Sequence, residues 1–382
     1  MERRIPLFKI LWDPADIEKV SSVIRRGMHW AIGPEIKEFE SKTAEYLGAK
    51  FAVAMNSGTS ALHAVLSAHG IGEGDEVIVP SFTFIATANS PLFVGAKPVF
   101  AEIEGTTYGL DPADVERRIT PRTKAILPIH CGGLPCRIEE LRQVADKHRL
   151  LLIEDAAESL GATVNGRKAG TLGDSAILSF CANKVITTGE GGMVITNSRD
   201  VYEKVKLVCS HGRVETSDYF SSTEQMEYVT LGYNFRMSTM TAALGIAQMG
   251  KIDEIIRLRR QHAQSLTQRL SGINAVTPPQ VPKGFSHVYQ LYTIRLRDNA
   301  RLRDKLMSHL LDRGIMTKVY FHPVHLTQFY RRKFGYKEGD LPVTERIASE
   351  VLTLPMFPTM TREERDYVAE MVQDFFTKAG VA

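Results

Sequence analysis

Short β-branched runs alternate with helical spacings through the first half of the chain. FAVAM (51–55) precedes a helical stretch at about 59–69, and DEVIVP (75–80) precedes one starting near Thr83. KPVFAEI (97–103) leads to DPADVERRI at 111–119, and KAILPI (124–129) to a helix at 137–148, before LLLIED (150–155). Strands separated by stretches long enough to cross back over a sheet predict an α/β domain whose mostly parallel sheet is covered on both faces. AILSF (176–180) and MVIT (193–196) read as two more buried strands with a glycine-rich turn between them. Ahead of all these, 13–26 opens with Asp13 as N-cap and Pro14 at the first helical position. It carries Ile17, Val20 and Ile24 on one face and stops at Gly27.

The pattern changes after residue 239. One long helix is expected over 239–270, with Ile246, Met249, Ile252, Ile255 and Ile256 at helical spacing, followed by the connector TPPQVPKG (277–284). A strand at 288–296, a helix at 299–313 and a second strand at 315–321 come next. The last helix starts at the capping box Thr361-Arg-Glu-Glu364 and turns Val368, Met371, Val372 and Phe375 inward. The expected division is a large domain over 14–250 and a smaller α+β domain over 251–382, with 1–13 packing nearby.

Composition narrows the function classes. With 47 basic and 44 acidic residues among 382, the net charge of +3 favours neither nucleic acid nor an anionic membrane surface. The apolar runs fall far short of the roughly 20 residues that span a bilayer. MERRIPLFKILWD lacks a small-residue cleavage site, so a cytoplasmic protein is expected. Four cysteines are too few for a disulfide framework, and Cys131 and Cys136 in CGGLPC have no second ligand pair at zinc spacing.

Three places carry candidate chemistry. In NSGTSAL a strand gives way to a helix through Ser57, Gly58 and Thr59, and a helix start with glycine presents free backbone N–H groups to an anion such as phosphate. Glu154 and Asp155 close an apolar strand at its carboxyl end, where open α/β sheets form their ligand crevice. Asp155 there either caps the next helix or holds the proton on a ring nitrogen. Lys184, in a turn between two buried strands that holds its side chains firmly, is either an ordinary amine or one presented as a nucleophile.

Together these residues resemble the DegT/DnrJ/EryC1/StrS group of fold-type I, pyridoxal 5′-phosphate-dependent sugar aminotransferases. The resemblance rests on GPEIKEFE (33–40), NSGTSAL (56–62), GDEVIVPSFTFIATANS (74–90), EDAAESLGA (154–162), GDSAILSF (173–180), NKVITTGEGG (183–192), LGYNFRMS (231–238) and HPVHLTQFY (322–330). It implies a large domain built on a seven-stranded, mostly parallel sheet and a smaller C-terminal α+β domain. Lys184 is then the Schiff-base lysine and proton carrier, and Asp155 the partner of the pyridine nitrogen. Gly58, Thr59 and Ser179 hold the phosphate, Asn234 reaches it from the neighbouring subunit of a homodimer with shared sites, and Phe84 stacks on the ring. Glu158 stands where the family often has Gln or His near the phenolic oxygen.

His29 and Trp30 are sugar-contact candidates by the same resemblance, and His322 and His325 are read as serving substrate contact or packing. The HPVH spacing is otherwise a metal pattern, but Pro323 breaks the helix it needs and no carboxylate sits at ligand spacing, so no metal is expected. The implied substrates are a nucleotide-linked 3- or 4-keto-hexose and an amino donor such as glutamate. A cyclitol or aminoshikimate-type aminotransferase and a non-catalytic cofactor-binding regulator are the alternatives. Regiochemistry and nucleotide choice are expected to reside in 27–34, 210–230 and 320–336.

Overall fold

The protein is described as a computed structural model covering residues 4–214, 226–297 and 300–378; the centre of the 210–230 specificity segment lies outside the described residues. Strands β1 (Phe51–Met55), β2 (Glu76–Pro80), β3 (Lys97–Ala101), β4 (Thr123–Ile126) and β5 (Leu151–Asp155) fall where the apolar runs place them. The two-residue strands β6 (Thr163–Val164) and β7 (Arg167–Lys168) form a short hairpin before β8 (Ser175–Ser179) and β9 (Gly192–Thr196). Seven of these build one sheet in the order β1-β9-β8-β5-β4-β2-β3. All neighbours from β8 to β3 run parallel, whereas β9 is antiparallel to both β1 and β8. Helices and loops pack on both faces, so β2 is buried along its whole length, as a central parallel strand requires.

The first helix, Pro14–Arg26, is capped as expected: the Asp13 side chain accepts from Ala15 N, and Gly27 closes the helix in the left-handed conformation. Ile17 and Ile24 share a face, and that face is turned to solvent. Ile17 is 56% and Ile24 48% exposed, while Asp16 is buried. Polar pairing turns the helix: the Asp16 carboxylate accepts from Gln248 Nε2 at 2.9 Å, Lys251 Nζ at 2.6 Å and the Asp13 amide at 2.8 Å. The stretch 239–270 is two helices, Thr239–Met249 and Ile252–Leu270, broken at Gly250 and Lys251. That break frees Lys251 to reach Asp13 and Asp16.

Three further strands lie downstream: β10 (Phe285–Ser286), β11 (Tyr292–Arg295) and β12 (Val351–Leu354). The expected strand at 315–321 does not form. The antiparallel partner of β11 is β12, and 315–321 makes isolated bridges only, Ile315 with Ile5 and Lys318 with Thr353. A separate apolar cluster joins Ile5, Leu266, Tyr292, Ile315, Leu354 and Phe376. The Thr361 capping box is formed, with Thr361 N to Glu364 Oε2 at 2.9 Å and Glu364 N to Thr361 Oγ1 at 3.0 Å. Helix Pro342–Glu350 has no cap of its own; Glu102, just past β3, accepts from the amides of Val343 and Thr344 at 2.9 and 2.8 Å. This ties the 320–345 region to the large sheet and forms one wall of the cleft.

Candidate active site

Five parallel strands end at one edge of the sheet, and a cleft of about 480 Å³ opens there. Ser57, Gly58, Thr59, Phe84, Thr87, Asp155, Glu158, Ser179, Lys184, Tyr320 and Phe321 are among its lining residues. The helix start, the strand-end acid and the turn lysine, about 130 residues apart in the chain, therefore face one volume.

Each member is held for a local reason. Helix Gly58–Ala68 is capped by Ser57, whose side chain accepts from Ser60 N, leaving the amides of its first turn directed at the cleft. Space for a side chain is tight at Gly58 and absent at Gly192. A Cβ at position 58 would stand 3.1 Å from Ser179 Cβ, and one at Gly192 would stand 2.2 Å from the Ser57 carbonyl oxygen. β9 can therefore run directly beneath the helix start only because residue 192 has no side chain.

Lys184 lies in the connection between β8 and β9, its side chain 13% exposed, and Nζ donates to Glu158 Oε1 at 3.2 Å. The other Glu158 oxygen accepts from Gly132 N at 2.8 Å, which fixes the carboxylate. The lysine loop is pinned by Lys184 N to Cys181 O at 3.0 Å and by Gln290 Nε2 to Asn183 O at 2.9 Å.

Asp155 and its neighbour Glu154 point to opposite faces of β5, as the strand period of two requires. Asp155 is 2% exposed. Its Oδ2 accepts from Thr87 Oγ1 at 2.7 Å and its Oδ1 from Ala157 N at 3.1 Å. Burial dominates and raises its pKa above 3.8; the Thr87 and Ala157 hydrogen bonds and the Lys184 charge oppose that rise only in part. Glu154, on the other face, accepts four hydrogen bonds: from His130 Nε2 and Gly170 N, both at 2.8 Å, and from Leu172 N and Gly173 N, both at 2.6 Å. Burial again pushes its pKa up, but the His130 and backbone donors outweigh it and hold Glu154 below the ordinary 4.5.

The other sequence candidates are placed as follows. Phe84 caps helix Ile85–Phe93 and is 57% exposed on the cleft wall. Asn234, His29 and Trp30 do not line the cleft of their own chain: Asn234 is exposed and accepts from Asn56 Nδ2 through its carbonyl, and Trp30 Nε1 donates to Val23 O. His322 is exposed beside the cleft residue Phe321. His325 is set apart from the cleft: it is fully buried, with Nδ1 2.7 Å from Ser81 Oγ and Nε2 3.1 Å from Glu345 Oε1, and burial lowers its pKa. Among the described residues no group of three or more potential ligands could hold a metal, and no helix is long and apolar enough to cross a membrane.

Sequence reasoning passed over Thr83 and Thr87 as a pair. Their hydroxyls are 2.7 Å apart, and their four-residue spacing in SFTFIATANS was the available signal. It also missed Tyr320, because a β-branched run read as a strand concealed a cleft-lining loop.

The sheet order, the reversed strand β9 and the cleft at the strand ends define a fold-type I aminotransferase. Comparison with known proteins then gives the family. The model of the DegT/DnrJ/EryC1/StrS aminotransferase family matches residues 12–373, and the chain belongs to that family. It is 42% identical over 340 residues to the GDP-perosamine synthase of Caulobacter vibrioides, covering 88% of this chain and 89% of that one. Among solved structures, Helicobacter pylori PseC, an aminotransferase involved in the biosynthesis of pseudoaminic acid, superposes with a TM-score of 0.92 at 28% identity, covering 98% and 100% of the two chains. The PLP-form of the sugar aminotransferase homologue Spr1654 from Streptococcus pneumoniae gives 0.92 at 27% identity, covering 98% and 99%.

Proposed function

We propose that this aminotransferase uses pyridoxal 5′-phosphate to move an amino group from glutamate to a 3- or 4-keto-hexose carried on a nucleotide. One observation carries the reading: an amine, a buried carboxylate with remaining acceptor capacity and an anion-binding helix start converge on one cleft. That donor set fits the cofactor. Gly58 and Thr59 amides with the Ser179 hydroxyl would hold its phosphate, Asp155 its ring nitrogen, Phe84 a ring face and Glu158 the side near its phenolic oxygen. Bound there, the cofactor supplies a protonated ring that accepts the electron pair left when a substrate C–H bond is broken.

The chain's own residues do the rest. Lys184 carries the proton to and from the substrate carbon, on a side chain largely shielded from water, so the proton is not lost to solvent between steps. Asp155 would set its negative charge against the ring nitrogen. Glu158 orients the lysine amine through the 3.2 Å hydrogen bond. His322, and His29 and Trp30 from a second copy, are the sugar-contact residues of this reading. The likeness to a GDP-perosamine synthase makes a GDP-linked keto-sugar the first acceptor to try.

We assign a homodimer in the cytoplasm. Trp12, Ile17, Ile24, Met28, Trp30, Phe84 and Leu231 are exposed large apolar side chains, and in this reading a second copy covers such residues while bringing Asn234 to the other cleft. Borohydride treatment of the purified protein with pyridoxal phosphate is expected to fix the cofactor to the Lys184 peptide, read by mass. 2-Oxoglutarate is expected to appear when glutamate and a nucleotide keto-sugar are added. Labelling at a different lysine, or full activity in Lys184→Ala, overturns the assignment.

A further inference from the structure

Asp155 is nearly inaccessible to water, and a carboxylate in that position tends to pick up a proton and lose its charge. What holds the charge is visible in the donors. Ala157 N–H can only donate, and it occupies Oδ1. At Oδ2 the donor is the Thr87 hydroxyl at 2.7 Å. A threonine hydroxyl has one hydrogen, and here it is committed to the carboxylate. The 2.7 Å contact between Thr87 Oγ1 and Thr83 Oγ1 therefore has only one possible direction while Asp155 is ionised: Thr83 donates and Thr87 accepts. The hydrogens form a chain, Thr83 to Thr87 to Asp155, in which each bond polarises the next. If Asp155 were protonated through Oδ2, the Thr87 hydroxyl would have to turn away from the carboxylate and accept from it instead.

We infer that Thr83 and Thr87 are positioning residues whose oriented hydroxyls keep buried Asp155 in its anionic form and in one rotamer. The inference rests on the reading of Asp155 as the partner of the cofactor ring nitrogen. It adds that the charge offered to that nitrogen depends on two residues in and just before the first turn of helix Ile85–Phe93, the helix that Phe84 caps. The other charged groups acting on Asp155 are Lys184, which favours the anion, and Glu158, which opposes it. Both stay in place in the variants below.

The test reads the acid directly, in the full chain without added cofactor. Infrared difference spectra across a pH titration follow the protonated-carboxyl band that Asp155→Asn removes. Thr87→Val is nearly isosteric and lacks the hydroxyl; its Asp155 midpoint is expected to rise by about one to two pH units. Thr87→Ser, which restores the hydroxyl, is expected to return to the wild-type midpoint. Thr83→Val, which removes only the outer donor, is expected to shift it in the same direction by less, and serves as the test if Thr87→Val does not fold. With pyridoxal phosphate added, the fraction of cofactor in the ring-protonated absorbance form is expected to fall in the same order. A midpoint unmoved in both valine variants, or one that serine fails to restore, overturns the inference. A shifted midpoint with an unchanged cofactor spectrum leaves the hydroxyl chain standing and instead removes Asp155 from the ring nitrogen.

Discussion

Glu154 and Asp155 are adjacent on β5, equally removed from water, and differ in every partner. Glu154 accepts four hydrogen bonds, three of them from the backbone of 170–173, so its oxygens are fully engaged within the protein. Asp155 accepts two and borders the cleft. Burial raises the pKa of both, yet Glu154 ends below its ordinary value and Asp155 above it, because only Glu154 is saturated with donors. A closed set of partners makes a carboxylate part of the scaffold, whereas an incomplete set leaves it available to something that enters the site.

The contrast predicts opposite mutational outcomes. The largest effect is expected from Asp155→Asn on turnover: loss of a charge aimed at the reacting ring should lower kcat by about 10²- to 10³-fold, measured by steady-state kinetics on saturated cofactor. An Asp155→Asn enzyme with near wild-type kcat would break the comparison. Next, Glu154→Ala strands His130 and three amides without an acceptor and should destabilise the fold by about 3–5 kcal/mol in urea unfolding, with little change in kcat per folded molecule.

The pH dependence should also split. Glu154 has a depressed folded pKa, so the stability it provides is present above 4.5 and is lost as pH falls through its folded value. Asp155 has a raised folded pKa; its ionised form opposes folding above that value, and the penalty is relieved as pH falls towards 3.8. The stability differences of the two variants from wild type, opposite in sign at neutral pH, should therefore both shrink as pH falls. The smallest expected effect is a gain of under about 1 kcal/mol in cofactor-free Asp155→Asn at neutral pH, from removing a partly satisfied buried charge. A marked loss there would show that Asp155 is structural after all.

Much of the large sheet was legible because its strands are local apolar runs and the helices that start at Ser57, Asp111 and Ser198 have local caps. Lys184, Asp155 and Gly58 were legible as a set because strand ends and helix starts of one parallel sheet necessarily gather at one edge. The misreadings all involve distant partners. Nothing near Asp16 tells that it will pair with Gln248 and Lys251 and so be buried. The run 315–321 has strand composition, but its neighbours are Ile5 and Thr353, each offering a single bridge, while Val351–Leu354 takes the full register with β11. His325 looks like a functional histidine in HPVH until Ser81, 244 residues away, closes over it.

The hairpin that carries Lys184 leaves little slack. β8 and β9 pair through five consecutive registers, and Phe180 N to Gly191 O and Thr188 N to Phe180 O continue the clasp into the loop. With its anchor so constrained, the lysine's reach comes from rotation along its own four-carbon stem. In the proposed reaction the moving part is then a single flexible arm on a stationary mount, and stiffening or shortening that arm is expected to cost more speed than loosening any loop around it.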